Sequence, residues 1–102
     1  MKLIEELRSR FIQEKFEFSK HAVDQTILRE ITVREIREAI EAGEIIEDYP
    51  DDKYGPSCLV FGLTKQNRPI HIQCSYPSRS MIKVITVYGP DPEHWIEFKQ
   101  RR

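Results

Sequence analysis

Residues 68–88 read R-P-I-H-I-Q-C-S-Y-P-S-R-S-M-I-K-V-I-T-V-Y, and their pattern decides the fold. Ile70, Ile72 and Cys74 alternate with His71, Gln73 and Ser75, the period-two pattern of a strand with one apolar and one polar face. Met81–Tyr88 is apolar on both faces, as in a strand held inside a sheet. The polar loop between them makes the pair a hairpin at the centre of a small sheet. Pro69 suits the first position of its strand, where it removes no ladder bond. No Asp or Glu occurs from Tyr54 to Pro90, whereas Lys65, Arg68, Arg79 and Lys83 do. The hairpin is therefore also the expected working face.

Outward from it, Glu44–Tyr49 and Ser57–Leu63 read as two more strands, joined by the polar loop Asp51–Pro56. Leu59, Phe61 and Leu63 share one face of the second, Cys58 and Val60 the other. Thr64–Arg68 is a five-residue turn in which Asn67 takes a positive φ. Helical signals precede the strands. Leu3, Ile4, Leu7, Phe11 and Ile12 make an apolar stripe within residues 1–14. Phe16 and Phe18 alternate with charges, as in a short strand. Ser19 then caps a helix over Lys20–Glu30, with Phe18 and Val23 placed as a hydrophobic staple. Thr32 and Glu35 form a capping box for a third helix, with Val33, Ile36, Ala39 and Ile40 facing inward and Gly43 as a left-handed C-cap. Asp91 and Pro92 start a short C-terminal helix whose inward anchors are Trp95 and Phe98. The expectation is one α+β domain over residues 1–102: N-terminal helices packed on a four-stranded antiparallel sheet, with a short C-terminal helix.

Composition narrows the function classes. No apolar run approaches the roughly 20 residues of a membrane span, and the charged start M-K-L-I-E-E-L-R is unlike a signal peptide. The cytoplasm is the default address, and Cys58 and Cys74 read as small buried hydrophobes. The net charge of −1 hides an asymmetry. Residues 1–53 carry 9 Lys/Arg against 14 Asp/Glu, and residues 54–102 carry 7 against 3. A basic second half fits an anionic ligand, or simply the segregation of acidic helix surfaces from a β half.

His71 and His21 are the candidate titrating groups near neutral pH. His21, Gln25 and Arg29 share one side of their helix. His71 and Cys74 point to opposite strand faces, and neither zinc spacings, a nucleophile motif nor a glycine-rich phosphate loop occurs, so no metal or cofactor is expected. A basic face with histidines and tyrosines suits RNA cleavage by the substrate's own 2′-hydroxyl, which needs only proton transfer and stabilisation of a phosphorane. His21 and His71 would move the protons. Arg29, Lys83 and Arg68 would hold phosphate, and Tyr88 would position or stack on the substrate. The strand register is open at this point: either Lys83, or Thr86 with Tyr88, shares the face of His71.

The segments F-S-K-H-A-V-D-Q-T-I-L-R-E-I-T (18–32), E-I-I-E-D-Y-P (44–50), R-P-I-H-I (68–72), V-I-T-V-Y (84–88) and P-D-P-E-H-W (90–95) resemble the DUF4258 family. The resemblance covers about residues 16–95 and leaves 1–14 as an addition. It implies a toxin-like protein near the RelE-like ribonuclease toxins of barnase-like fold. It also implies an mRNA target, free or ribosome-bound, and an antitoxin with zinc-binding and helix-turn-helix parts. It singles out His21, Arg29, His71, Thr86 and Tyr88. Glu30 stands where the family usually has glycine and Gln25 where it usually has arginine; the loss of that arginine implies either weakened phosphate binding or dependence on Arg29. Two further readings remain beside the endoribonuclease toxin: a non-catalytic module that binds RNA or protein, and a face that pairs with a second copy of the chain.

Overall fold

The computed structural model describes residues 2–102. The elements run α1 (Leu3–Ile12), β1 (Phe16–Phe18), α2 (Lys20–Leu28), α3 (Val33–Ala42), β2 (Glu44–Tyr49), β3 (Ser57–Leu63), β4 (Pro69–Ser75), β5 (Ile82–Tyr88), β6 (Trp95–Ile96) and β7 (Gln100–Arg101). The sheet is not the expected four-stranded antiparallel one. It has five strands in the order β1-β5-β4-β3-β2, and β1 lies parallel to β5. The ladder is extended by Ile82 N–H to the Lys15 carbonyl and Ser19 N–H to the Val84 carbonyl, 2.9 and 3.0 Å. Three residues suffice for β1 because β5 already offers an ordered edge.

The C-terminal helix is also corrected. His94 and Trp95 N–H groups close one turn onto the Asp91 carbonyl, and the chain then forms the β6–β7 hairpin. Glu97 and Phe98 take φ of 51° and 63°, which ends any helix there. Trp95 is buried as an inward anchor, with Phe98 half-buried beside it.

Local signals place the helices. Ser19 Oγ accepts from Ala22 N–H at 3.0 Å and donates to the Ile85 carbonyl at 2.9 Å, so one side chain caps α2 and ties it to β5. The Thr32–Glu35 capping box is complete. α2 closes in a Schellman motif, with Ile31 N–H on the Thr26 carbonyl and Glu30 at φ 53°. Asn67 is left-handed as its turn requires (φ 65°), but Gly43 is not, at φ −87°. Close approach explains the glycines instead: a Cβ on Gly62 would lie 1.9 Å, and one on Gly43 2.5 Å, from the Ala39 carbonyl oxygen. α3 thus rests directly on β3.

The core lies between helices and sheet. Leu7, Phe11, Ala22, Ile36, Ala39 and Ile40 meet Val60, Ile70, Ile72, Ile82, Val84 and Val87. Each buried Ile or Val contributes about 1.5–3 kcal/mol. Ile12 and Val33, expected inward, are exposed. Cys58 and Cys74 are free, buried and directly opposite each other. Tyr76 N–H to Pro56 and Thr64 N–H to Arg68 fix the ladder's phase and make Cys58–Cys74 a hydrogen-bonded pair, with Cα atoms about 5.5 Å apart. The hydrogen bond to Cys58 and burial push the Cys74 thiol pKa well up, so Cys74 stays an inert thiol.

Candidate functional site

The face of the sheet away from this core carries the candidate site. Its register depends on a bulge. Gln73 pairs with Thr86 and Cys74 with Val84, so Ile85 is an extra residue. Thr86 and Tyr88 stand beside Gln73 and His71. Across the bulge, Val84 points into the core and Lys83 returns to the outer face, where its N–H meets Ser75 Oγ at 2.9 Å. The two register alternatives are therefore both realised: Lys83, Thr86 and Tyr88 all share the face of His71.

His71 is not solvent-facing. It is fully buried, packed by Phe61, Tyr88 and Trp95 at ring separations of 5.8, 5.2 and 4.4 Å. Its Nε2 lies 2.6 Å from the Phe98 carbonyl, which can only accept, so Nε2 carries the hydrogen. Burial pushes the imidazole pKa below 6.5, partly opposed by that hydrogen bond and by Glu47. Neutral His71 then leaves Nδ1 as an acceptor for the Tyr88 hydroxyl, 3.2 Å away. Burial raises the Tyr88 pKa, and the cations Arg101 and Arg29 act in the opposite direction.

The cover over His71 is the β6–β7 hairpin, clamped by charges. Arg101 binds Glu47 through two nitrogens at 2.7 and 3.1 Å and stacks 4.7 Å over Trp95. Tyr49 donates to the same Glu47, and Lys99 pairs with Glu44 at 3.2 Å. Burial pushes the Glu47 carboxyl pKa up, but the Arg101 and Tyr49 bonds outweigh it and hold it below 4.5. The hairpin turn costs about 1–2 kcal/mol for each of the left-handed residues Glu97 and Phe98.

The remaining candidates are dispersed. Arg29 is exposed, donates to Gln25 from Nε, and bears electrostatically on Tyr88. Arg68 holds Glu35 at 3.0 Å and the carbonyls of Arg29 and Glu30 at 2.9 Å each, so it pins the end of α2 to the start of β4. Lys83 lies 4.0 Å from Glu17 at the far end of β5. His21 is exposed in the first turn of α2, with no side-chain hydrogen bond or ion pair among the described residues. The structure thus brings His71, Tyr88 and Thr86 to one face, leaves Arg29 linked to Tyr88 only through its charge, and joins His21 to none of them. A broad hollow of about 770 Å³ lies elsewhere, between Thr32, Arg34, Glu38, Lys65 and Arg68; its charges are mixed and it contains no histidine. Among the described residues no three His, Cys, Asp or Glu side chains converge as metal ligands, and no helix is long and apolar enough to cross a membrane.

Sequence reading missed Phe61, Glu47, Trp95 and Arg101 as neighbours of His71. A signal was present: Leu59, Phe61 and Leu63 are too apolar a face to be left in water, so both faces of β3 call for a cover.

The model of the domain of unknown function DUF4258 matches residues 18–89, and the chain is a member of that family. No curated protein and no solved structure matches the chain.

Proposed function

We propose that the domain is a metal-independent endoribonuclease of the toxin type, and that its working group is Tyr88 backed by His71. The observation that carries this is the Tyr88 hydroxyl on Nδ1 of a neutral histidine whose other nitrogen is already fixed. A 2′-hydroxyl that meets the Tyr88 oxygen passes its proton there while Tyr88 passes its own to His71. The freed 2′-oxygen attacks the adjacent phosphorus and the P–O5′ bond breaks; the 5′-oxygen takes a proton from solvent water, a 2′,3′-cyclic phosphate remains, and His71 returns its extra proton to solvent through Tyr88. Arg29, whose charge reaches Tyr88, is the cation for the phosphorane, and Gln25 orients it. Lys83 and Thr86 extend the same face along the RNA backbone.

The test is incubation of the protein with single-stranded and ribosome-bound RNA in EDTA. Cleavage that falls at least a hundredfold in Tyr88→Phe, with the fold intact, is the expected result. No cleavage by the unaltered chain, or full activity in Tyr88→Phe, overturns it.

A second reading has its own observation. α2 exposes Ile27 and Leu28 at 73% each and Val23 at 42%, an apolar row that a protein partner would cover. A toxin's antitoxin would use such a row, and so would a non-catalytic interaction module. An inactive protein that still binds RNA or a partner protein through these residues would favour the module.

A further inference from the structure

The β6–β7 hairpin fills the very place from which a ligand would reach His71. Everything that forms the floor, Phe61, His71 and Tyr88, lies inside the family-matched residues 18–89. The groups that fill it, the Trp95 ring and the Phe98 carbonyl, lie outside them. The hairpin forms its own two-stranded sheet and adds no strand to the five-stranded one. Its turn places two left-handed non-glycine residues in succession, and its clamps, Arg101–Glu47 and Lys99–Glu44, are ion pairs at the surface.

We propose that the face around His71 is a binding site for a planar heteroaromatic ring with a carbonyl acceptor, an unpaired pyrimidine base, and that residues 95–101 occupy it in cis as a removable cover. Trp95 imitates the ring, edge-on to the imidazole at 4.4 Å. The Phe98 carbonyl imitates the base carbonyl opposite Nε2–H. Phe61 and Tyr88, both edge-on to His71, supply the aromatic surround. Opening the cover also frees the approach to Tyr88. The inference rests on the same working face as the nuclease reading but not on cleavage.

Uridine, which is uncharged, is the probe, with the full chain throughout. Lys99→Ala with Arg101→Ala unclamps the hairpin. The expected result is red-shifted Trp95 fluorescence, an upward move of the His71 titration followed by NMR, and uridine binding at least tenfold tighter than in the unaltered chain. Glu97→Gly relieves the turn and should act the other way, weakening uridine severalfold. Equal uridine affinity in all three proteins overturns the inference. So does loss of the cooperative fold in the double variant, because the hairpin would then be part of the core. If RNA is not cut but uridine follows this pattern, the nuclease reading falls and the binding site stands.

Discussion

The two faces of one sheet are finished in different ways. On the helix side Val60, Ile70, Ile72, Ile82, Val84 and Val87 meet three helices, and the join is backbone against backbone at Gly62 and Ala39. On the other side a seven-residue hairpin covers a histidine and two aromatic rings, Phe61 and Tyr88, through two exposed ion pairs and one hydrogen bond. The first face is held by apolar area and shape, which neither titrate nor weaken through ionic screening. The second is held by groups that do both. A fold that needs stability on one side and access on the other would be divided in this way.

Gly62→Ala tests the first face most severely. The added Cβ would meet the Ala39 carbonyl oxygen at 1.9 Å, and the obstacle is helix backbone, which cannot swing aside. The expected cost is about 3 kcal/mol or more, seen as a large fall in the midpoint of thermal or urea unfolding. A change below 1 kcal/mol would show that α3 is loosely seated and that the contrast between the faces is wrong.

What sequence revealed and what it hid follow the same division. The caps at Ser19 and Thr32, the turn at Asn67 and the β2–β5 strands were legible because each is decided by neighbours in the chain. The pairing of Phe16–Phe18 with Ile82–Val84 was not, because a three-residue strand borrows its order from a partner far along the sequence. The burial of His71 was hidden for a similar reason. Alternation shows that His71 turns away from Ile70 and Ile72, but not that Trp95 and Phe98 come back over it. The bulge at Ile85 escaped too, and with it the fact that Lys83 and Tyr88 share a face. Of the candidate site, then, the residue types on β4 and β5 were readable, while their partners from β2, β3 and the C-terminus were not.

Acid should separate the two faces. The folded His71 titrates below 6.5, so as pH falls beneath that value the unfolded chain takes up the proton first and stability declines. Glu47, held below 4.5 when folded, adds its loss at lower pH, as Arg101 is released. Exposed pairs of this kind contribute on the order of 1 kcal/mol. Glu35, also lowered, follows the same sign on the helix side, but the apolar core beneath it does not titrate. Trp95 fluorescence should therefore change at a higher pH than the far-ultraviolet dichroism of the helices. Coincident transitions would mean that the hairpin and the core unfold as one unit.

The smallest effect concerns the left-handed residues, which occur on both sides. Glu30 closes α2 at φ 53°, where the α2 Schellman bonds from Glu30 and Ile31 N–H are already made and Arg68 accepts no alternative geometry for the Glu30 carbonyl. A side chain there costs about 1–2 kcal/mol in steric strain, and glycine removes it. Glycine returns part of that gain, about 0.5–1 kcal/mol, through the extra freedom of the unfolded chain. Glu30→Gly should therefore stabilise the domain by about 0.5 kcal/mol, without moving Trp95 fluorescence. Glu97→Gly, the same change in the hairpin turn, should move that fluorescence signal while leaving the global midpoint nearly still. If both substitutions shift the global midpoint equally, strain in the hairpin is shared with the core, and the two faces are less independent than their contacts indicate.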